Sequence, residues 1–402
     1  VTMENITRTT CRLCGSANLQ DIISIGDQYI NDFPPSPSEK GRNGRCPLDV
    51  VLCEDCSLFQ LRHTAPQELL YARHYWYKSG INDTIRQDLQ GIADCAVEIS
   101  RLQPGEIFLD IGANDGTLLG TMKGRAVRVG CEPANNLIQE LRTNSDYVIH
   151  DFWSRDAYEK LGIGKAKAIT AIGMFYDMED PGQFIRDAAG VLDPDGVFIA
   201  QLMTLKPMLE QNDLGNICHE HLEYYTYRSL KYLFEHNGLE IFRVEENSIN
   251  GGSYRIFARH FKSGSIDYPE DFTAGDLRRF LTRLEERRAL CLDYIRECVA
   301  AGKKVYAYGA STKGNVILQY FGLDDTLITA AADKNPQKWG QYTLTDIPIV
   351  SEEAGRAAAD VFLVLPYGFI DEFVRREKEW LDRGGEFIVP LPDFRVIKRE
   401  GR

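Results

Sequence analysis

Two stretches concentrate the side chains that can do chemistry. The first is Cys218-His219-Glu220-His221-Leu222-Glu223-Tyr224-Tyr225. It packs together imidazoles that titrate near neutrality, a carboxylate to orient or recharge one of them, and phenols able to steady a developing oxyanion. That combination suits proton transfer, with His221, Glu220 and Tyr224 as the candidates. The His-Glu-His order is not His-Glu-x-x-His, so a helix would not bring both imidazoles to one face. A metal site completed from elsewhere and a plain surface loop stay open as readings. The second stretch is a pair of Cys-x-x-Cys knuckles, Cys11 with Cys14 and Cys53 with Cys56. Each short turn can aim two thiolates at one ion, which predicts a single tetrahedral zinc; a redox pair or unpaired thiols is the competing reading, with Cys46 close by but outside the pattern. Four thiolates would close the coordination shell against water and substrate, so the expected metal is structural.

These residues need a scaffold, and the chain supplies two α/β patterns. In Ile107-Phe-Leu-Asp-Ile-Gly-Ala-Asn-Asp-Gly116 four apolar residues, broken only by Asp110, run into a glycine turn. This reads as a strand buried on both faces that opens onto a ligand, Gly112 and Gly116 allowing a sharp turn and a close approach; an ordinary strand-turn-helix is the bland alternative. Asp110 and Asp115 argue for a neutral or cationic ligand rather than a phosphate. Further strands are expected at Val127–Glu132, Tyr147–Ile149, Ala166–Ile172, Val197–Leu202, Leu239–Val244 and Tyr254–His260, the last two as an antiparallel edge pair joined at Asn250–Ser253. Glu132 stands about twenty residues beyond the turn, where an acid commonly takes ribose hydroxyls. Asp151 with Phe152, and Met174 with Phe175, follow the third and fourth strands, at the carboxyl ends where α/β sheets bind ligands.

The second pattern starts at Lys303, with a strand, a turn Gly309 to Gly314 and later strands at Leu327–Ala332, Val361–Leu365 and Glu386–Val389. Lys313 precedes the last glycine, so the turn is not a Walker loop, yet its amides with Ser311 and Lys313 could cradle a diphosphate; a structural lobe with no ligand is the alternative. A long amphipathic helix from Asp276 to about Ala301 links the two patterns. Between the knuckles, Asn31 to Arg45 is rich in proline, serine and glycine and is expected to wrap the cysteine lobe. The aromatic run at Tyr71 to Tyr77, with Tyr75, Tyr77, Ser79 and Asn82, reads either as a polar pocket or as a packed junction. The chain has 402 residues and a formal charge of -13, which disfavours a nucleic-acid partner. No membrane span or secretory h-region is apparent and the cysteines pair as metal knuckles, so a cytoplasmic location is expected.

The order of parts resembles the S-adenosylmethionine-dependent sugar C-methyltransferases that act on nucleotide-linked 4-keto-deoxy sugars. The likeness covers nearly the whole chain and rests on the four knuckle cysteines, on Leu109-Asp-Ile-Gly-Ala-Asn-Asp-Gly116 with Glu132, on Cys218-His-Glu-His221 and on Tyr308-Gly-Ala-Ser-Thr-Lys-Gly314. It implies a zinc-binding lobe over 1–70, a class I methyltransferase domain over 71–265 and a connector helix with a Rossmann-like domain over 266–402. It implies S-adenosylmethionine held by Asp110, Gly112, Asn114, Asp115, Gly116, Glu132, Pro133, Asp151, Phe152, Met174 and Phe175. A dTDP- or GDP-linked 4-keto-6-deoxy sugar would meet Tyr75, Tyr77, Ser79, Asn82, Asn250, Ser311 and Lys313, with methylation at C3 and a monomer or homodimer as the working form. By position in the motif His221 is implied as general base and Glu220 as its partner. Cys218 stands where the family has tyrosine and Asp177 where it has histidine, so the missing phenol would come from Tyr224, Tyr75 or Tyr77. An O- or N-methyltransferase, an NAD-dependent sugar-nucleotide enzyme and a zinc-stabilised binding module are the competing functions.

Overall fold

The computed structural model describes residues 4–66, 68–72 and 78–399. Tyr75 and Tyr77 therefore lie outside the described residues. The chain divides into two compact units, each assembled from separate segments: Val1–Gln20, Val51–Lys206 and Glu220–Phe272 form the first, and Asp21–Val50, Pro207–His219 and Thr273–Arg402 the second. Among the described residues no helix is long and apolar enough to cross a membrane.

The first unit is built on a seven-stranded sheet. Across it the order is Tyr147–Ile149, Val127–Cys131, Ile107–Ile111, Ala166–Ile172, Leu192–Leu202, Ser253–His260 and Leu239–Asn247. All neighbours are parallel except Ser253–His260, which runs antiparallel to the strands on both its sides. The strand order reverses beside Ile107–Ile111, where a doubly wound sheet opens a crevice at its carboxyl ends. That strand is buried at every position because helices cover both faces. Ile107, Leu109 and Ile111 pack into one core and Phe108 into the other, the alternation a pleated strand imposes. The first of these cores also takes in Cys11, Cys53, Cys56 and Leu58, so the knuckles share a hydrophobic interior with the sheet.

The helices start where their capping residues place them. Asn82 accepts from Thr84 N and Ile85 N and opens the helix Asp83–Ser100, which buries Ile85, Leu89, Ile92 and Ala96 and stops at Arg101 in the left-handed region. Asp180 accepts from Gln183 N ahead of Pro181–Val191, and Thr226 forms a capping box with Ser229 ahead of Tyr227–His236. The strand expected from Val197 starts at Leu192, and its register shifts between Leu192 and Val197 because the Asp-Pro-Asp-Gly tetrapeptide cannot pair regularly.

The second unit carries a six-stranded sheet in the order Ile349–Ser351, Ala330–Asp333, Val305–Tyr308, Val361–Val364, Glu386–Val389 and Arg395–Lys398, parallel except for the last strand. Its long helix spans Ala274–Ala300 and buries Leu277, Phe280, Leu284, Cys291, Leu292, Ile295 and Cys298 on one stripe. Residues Asn31 to Arg45, expected around the cysteine lobe, belong to this unit instead. The reason is polar pairing: Asn31 Nδ2 donates to Thr312 Oγ1 at 3.0 Å, and Asn315 Nδ2 donates to Asn31 Oδ1 at 3.0 Å and to the Asp32 carbonyl at 3.1 Å.

Candidate active site

The four knuckle sulfurs lie within 4.8 Å of one another. Cys11 Sγ is 3.6 Å from Cys56 Sγ, and Cys14 Sγ is 3.5 Å from Cys53 Sγ. A tetrahedral zinc with Zn–S bonds of about 2.3 Å needs sulfurs roughly 3.8 Å apart, so the donors fit the ion. Cys11 Sγ accepts from Gln60 Nε2 at 3.1 Å and from Leu13 N at 3.4 Å, bonds that support a thiolate. All four positions are protein sulfur, and the metal is structural.

The glycine turn is dictated by its backbone. Gly112 has φ +73, and a Cβ there would stand 2.6 Å from Met174 Cγ, so no other residue fits without moving the fourth-strand loop. Asn114 also lies at positive φ, its N–H donating to Glu132 Oε2 at 2.9 Å, while Ala134 N donates to Glu132 Oε1 at 2.9 Å. A carboxylate has about four acceptor sites, and Glu132 braces the turn with two of them. Burial pushes its pKa up against those two bonds. Asp110 is deeper, 3% exposed, accepting from Thr170 Oγ1 at 2.7 Å. Burial and the nearby Glu132 charge push its carboxyl up to about 7. Asn114 Oδ1 accepts from Ser79 N at 3.0 Å and Asp115 Oδ2 from Gly80 N at 2.8 Å. The turn therefore holds the Ser79-Gly80 backbone, and a Cβ on Gly80 would sit 2.7 Å from Asp115 Oδ2.

Other expected residues fall into different surroundings. Phe152 is 41% exposed and Asp151 Oδ1 accepts from Phe152 N, leaving the ring at the surface beyond the third strand. Pro133 and Met174 are half-buried. Phe175, expected to touch the cofactor, is fully buried, with the rings of Phe184, Phe198, Tyr225 and Phe234 around it at centroid distances of 5.5 to 6.1 Å. It builds the core beneath the loop. The Asn82 side chain is taken up as a helix cap, and Asn250 sits at φ +55 in the turn ahead of Ser253–His260.

The two histidines of the proton-transfer motif separate sharply. The division between the units falls between His219 and Glu220. His219 is buried in the second unit, with Nε2 2.9 Å from the Cys46 carbonyl, so that nitrogen carries the proton and donates. Burial pulls its pKa down to about 4, and it stays neutral. His221 is half-buried in the first unit, its ring edge-on to Tyr176 at 4.5 Å. Tyr176 belongs to the loop after the fourth strand, and its carbonyl accepts from Leu222 N at 2.8 Å and Glu223 N at 3.2 Å. Glu220 and Tyr224 are buried beside His221 in sequence, at 5% and 1% exposure. The loop after the fourth strand thus carries both Met174, which lies against Gly112, and Tyr176, which meets His221. Sequence reasoning picks out Met174 and Phe175 in this loop and not Tyr176, because nothing in its neighbours marks a ring that will face an imidazole.

In the second unit Ser311 Oγ caps the helix Thr312–Phe321 by accepting from Gly314 N at 3.0 Å. Lys313 Nζ lies 2.9 Å from Asp213 Oδ2, and Tyr367 donates to Asp213 Oδ1 at 2.7 Å. Asp333, at the end of the next strand, accepts from Ala310 N at 2.7 Å.

A mostly parallel sheet with this strand reversal, a glycine turn at its carboxyl edge and a four-cysteine lobe define a class I methyltransferase fold with a zinc-binding lobe and a second Rossmann-like domain. Three family models cover the chain in succession: "Putative zinc binding domain" over residues 11–71, "Methyltransferase domain" over 86–244 and "C-methyltransferase C-terminal domain" over 248–392. The C-methyltransferase NovU of Streptomyces niveus is 31% identical over 418 residues, covering 99% of this chain and 99% of NovU. The protein belongs to this C-methyltransferase family and is an S-adenosylmethionine-dependent methyltransferase. Among solved structures, magnesium protoporphyrin IX methyltransferase from Synechocystis PCC 6803 with bound SAM is 15% identical, with a TM-score of 0.34 over 44% of this chain and 79% of that one. The CcbJ methyltransferase of Streptomyces caelestis is 13% identical, with a TM-score of 0.33 over 43% of this chain and 89% of its own.

Proposed function

We propose that the protein methylates carbon on a nucleotide-linked 4-keto-6-deoxy sugar, at C3, in deoxysugar biosynthesis. The observation that carries this reading is the seat of His221: a half-buried imidazole, edge-on to Tyr176, at the carboxyl end of the methyltransferase sheet. A carbon nucleophile has to be made by deprotonation, and an adjacent ketone makes that proton acidic enough. His221 takes the proton from the carbon beside the keto group and Glu220 orients the imidazole. The Tyr224 phenol steadies the enolate oxygen in place of the family tyrosine replaced here by Cys218. When bound, S-adenosylmethionine supplies an electrophilic methyl group. The chain's part is to hold the acceptor carbon in line with it, which is where much of the acceleration in such a transfer arises.

For the cofactor we assign Gly112, Asn114, Asp115 and Gly116 to the turn, Glu132 with Pro133 to the ribose, Asp151 with Phe152 to the base, and Met174 to the cover. Asp110 acts from below, and Phe175 supports Met174 from the core. Ser79, Asn250, Ser311 and Lys313 are assigned to the sugar nucleotide, which requires Lys313 to exchange Asp213 for phosphate. The functional segments follow chain order, 1–70, 71–265 and 266–402. The protein works as a monomer or homodimer in the cytoplasm.

The test is solvent exchange. With S-adenosylhomocysteine bound and dTDP- or GDP-linked 4-keto-6-deoxy sugars in deuterium oxide, deuterium should enter the carbon beside the ketone. His221→Asn should abolish both exchange and turnover, by about a thousandfold or more, while leaving cofactor affinity within about twofold. Methyl transfer to oxygen or nitrogen without wash-in, or full turnover in His221→Asn, would sink the proposal.

A further inference from the structure

Arg12 lies inside the first knuckle, between Cys11 and Cys14, and its side chain is fully buried. A guanidinium hidden from water must have its donors taken up by protein. Nε donates to Glu179 Oε2 at 3.1 Å, Nη1 to Gln60 Oε1 at 3.2 Å and to the Leu61 carbonyl, and Nη2 to Thr64 Oγ1 at 2.6 Å. Glu223 Oε1 stands 4.0 Å from Nε. Arg12 is tied to the sulfur cluster as well as flanked by it. Its own N–H donates to Gln60 Oε1 at 3.1 Å, and Gln60 Nε2 donates to Cys11 Sγ at 3.1 Å.

Three of these acceptors, Gln60, Leu61 and Glu179, sit in the segments that hold the His221 loop. Leu61 N donates to the Leu222 carbonyl at 2.9 Å, and Gln60 and Phe59 pair antiparallel with Glu223 and Tyr224. Glu179 follows Tyr176 by three residues in the loop whose ring and carbonyl seat His221 and Leu222. Glu179 is clamped further by Arg8 Nη1 at 2.7 Å and Thr64 Oγ1 at 2.7 Å. One planar fork thus grips both of the segments between which the His221 loop is laid, and a lysine offers no such fork.

We propose that Arg12 is a positioning residue through which the zinc knuckle sets the place of the His221 loop. The metal then bears on the reaction although its shell is closed. The catalytic part of this inference rests on the assignment of His221 as base; the structural part does not.

The zinc-loaded full-length protein tests it with Arg12→Met, Arg12→Lys and the double variant Thr64→Val/Glu179→Gln. The double variant takes the Thr64 acceptor and the Glu179 charge out of the grip, leaves the Arg12 bonds to Gln60 and Leu61, and does not touch the knuckle. Amide hydrogen exchange is followed at Leu61, Leu222 and Glu223, with the strand Leu192–Leu202 as internal reference. The expected result in Arg12→Met and in the double variant is exchange at those three amides faster by about tenfold or more, against an unchanged reference strand. Zinc content should stay at wild type, and kcat should fall about a hundredfold with little change in KM. Arg12→Lys should recover only part of either loss.

Unchanged exchange and wild-type kcat in the zinc-loaded double variant would overturn the proposal. If Arg12→Met loses its zinc or its fold, the double variant decides alone. Accelerated exchange together with wild-type turnover in His221→Asn would remove the base assignment and leave the positioning standing.

Discussion

The two glycine turns occupy the same place in their sheets and have different neighbours. Gly112 to Gly116 follows Ile107–Ile111 and Gly309 to Gly314 follows Val305–Tyr308, each where the strand order reverses. In each the acid at the carboxyl end of the next strand accepts a turn amide, Glu132, just past Val127–Cys131, from Asn114 N at 2.9 Å and Asp333, the last residue of Ala330–Asp333, from Ala310 N at 2.7 Å. The first turn then reaches outward: Asn114 and Asp115 hold the Ser79-Gly80 backbone, and Gly112 abuts Met174, whose loop also carries Tyr176. The second turn closes on its own unit. Lys313 pairs with Asp213, the buried Lys338 donates to the Ala310 carbonyl, and Asn31 meets Thr312 and Asn315. A glycine turn at a switch point is therefore a property of the doubly wound sheet, and the side chains laid against it decide what it can bind.

The comparison can be broken at three levels. Removing the zinc with a chelator should have the largest effect, because binding energy at a structural site of this kind is folding energy, about 10 kcal/mol in small zinc domains. Turnover should vanish, and amides of 51–66 should lose exchange protection while those of Val305–Tyr308 and Val361–Val364 keep theirs. Equal loss in both sheets would show that the turns share one scaffold.

Next come matched substitutions. Gly112→Ala (φ +73, Met174 Cγ at 2.6 Å) and Gly309→Ala (φ +86, Pro366 Cδ at 3.0 Å) strain their backbones alike. Each should cost about 1–3 kcal/mol of stability by denaturant melting. Calorimetry should separate them: S-adenosylmethionine affinity should fall about a hundredfold in the first and stay unchanged in the second.

The smallest effect is that of Asp110→Asn. The folded carboxyl titrates near 7 and the unfolded one near 4, so between those values the unfolded chain sheds a proton that the folded chain keeps. Stability contributed by the neutral acid is full below about pH 4 and is lost as pH rises through about 7. The variant should therefore melt higher than wild type by roughly 2–4 °C at pH 8, with a smaller gap at pH 5. If cofactor affinity falls with it, the acid also serves the ligand; a gap that does not grow with pH would refute the buried-acid account.

Much of the scaffold was legible because its signals are local. The strands Ile107–Ile111, Tyr147–Ile149, Ala166–Ile172 and Glu386–Val389 fall where their apolar runs place them, and the long helix was readable from its stripe. Ile349–Ser351 and Arg395–Lys398 were missed, one too short to show a period and the other a half-exposed edge strand added by antiparallel pairing. Ala330–Asp333 starts later than Leu327 because helix- and strand-compatible residues precede it without a turn signal.

The four cysteines were legible as one site because two knuckles with a common spacing are a complete description of a closed metal shell, independent of everything between them. The His-Glu-His run was legible as chemistry, but which histidine serves it was not. Burial against the Cys46 carbonyl keeps His219 neutral, while the edge of Tyr176 seats His221, and both facts depend on residues some 45 to 170 positions away. Likewise Arg12 reads as an ordinary knuckle side chain until folding removes its water and leaves Glu179, Gln60, Leu61 and Thr64 as its acceptors. Residue types and local periods determine which groups exist and which elements carry them. Desolvation and pairing across the chain, which only the tertiary structure sets, decide their charge, their orientation and their partners.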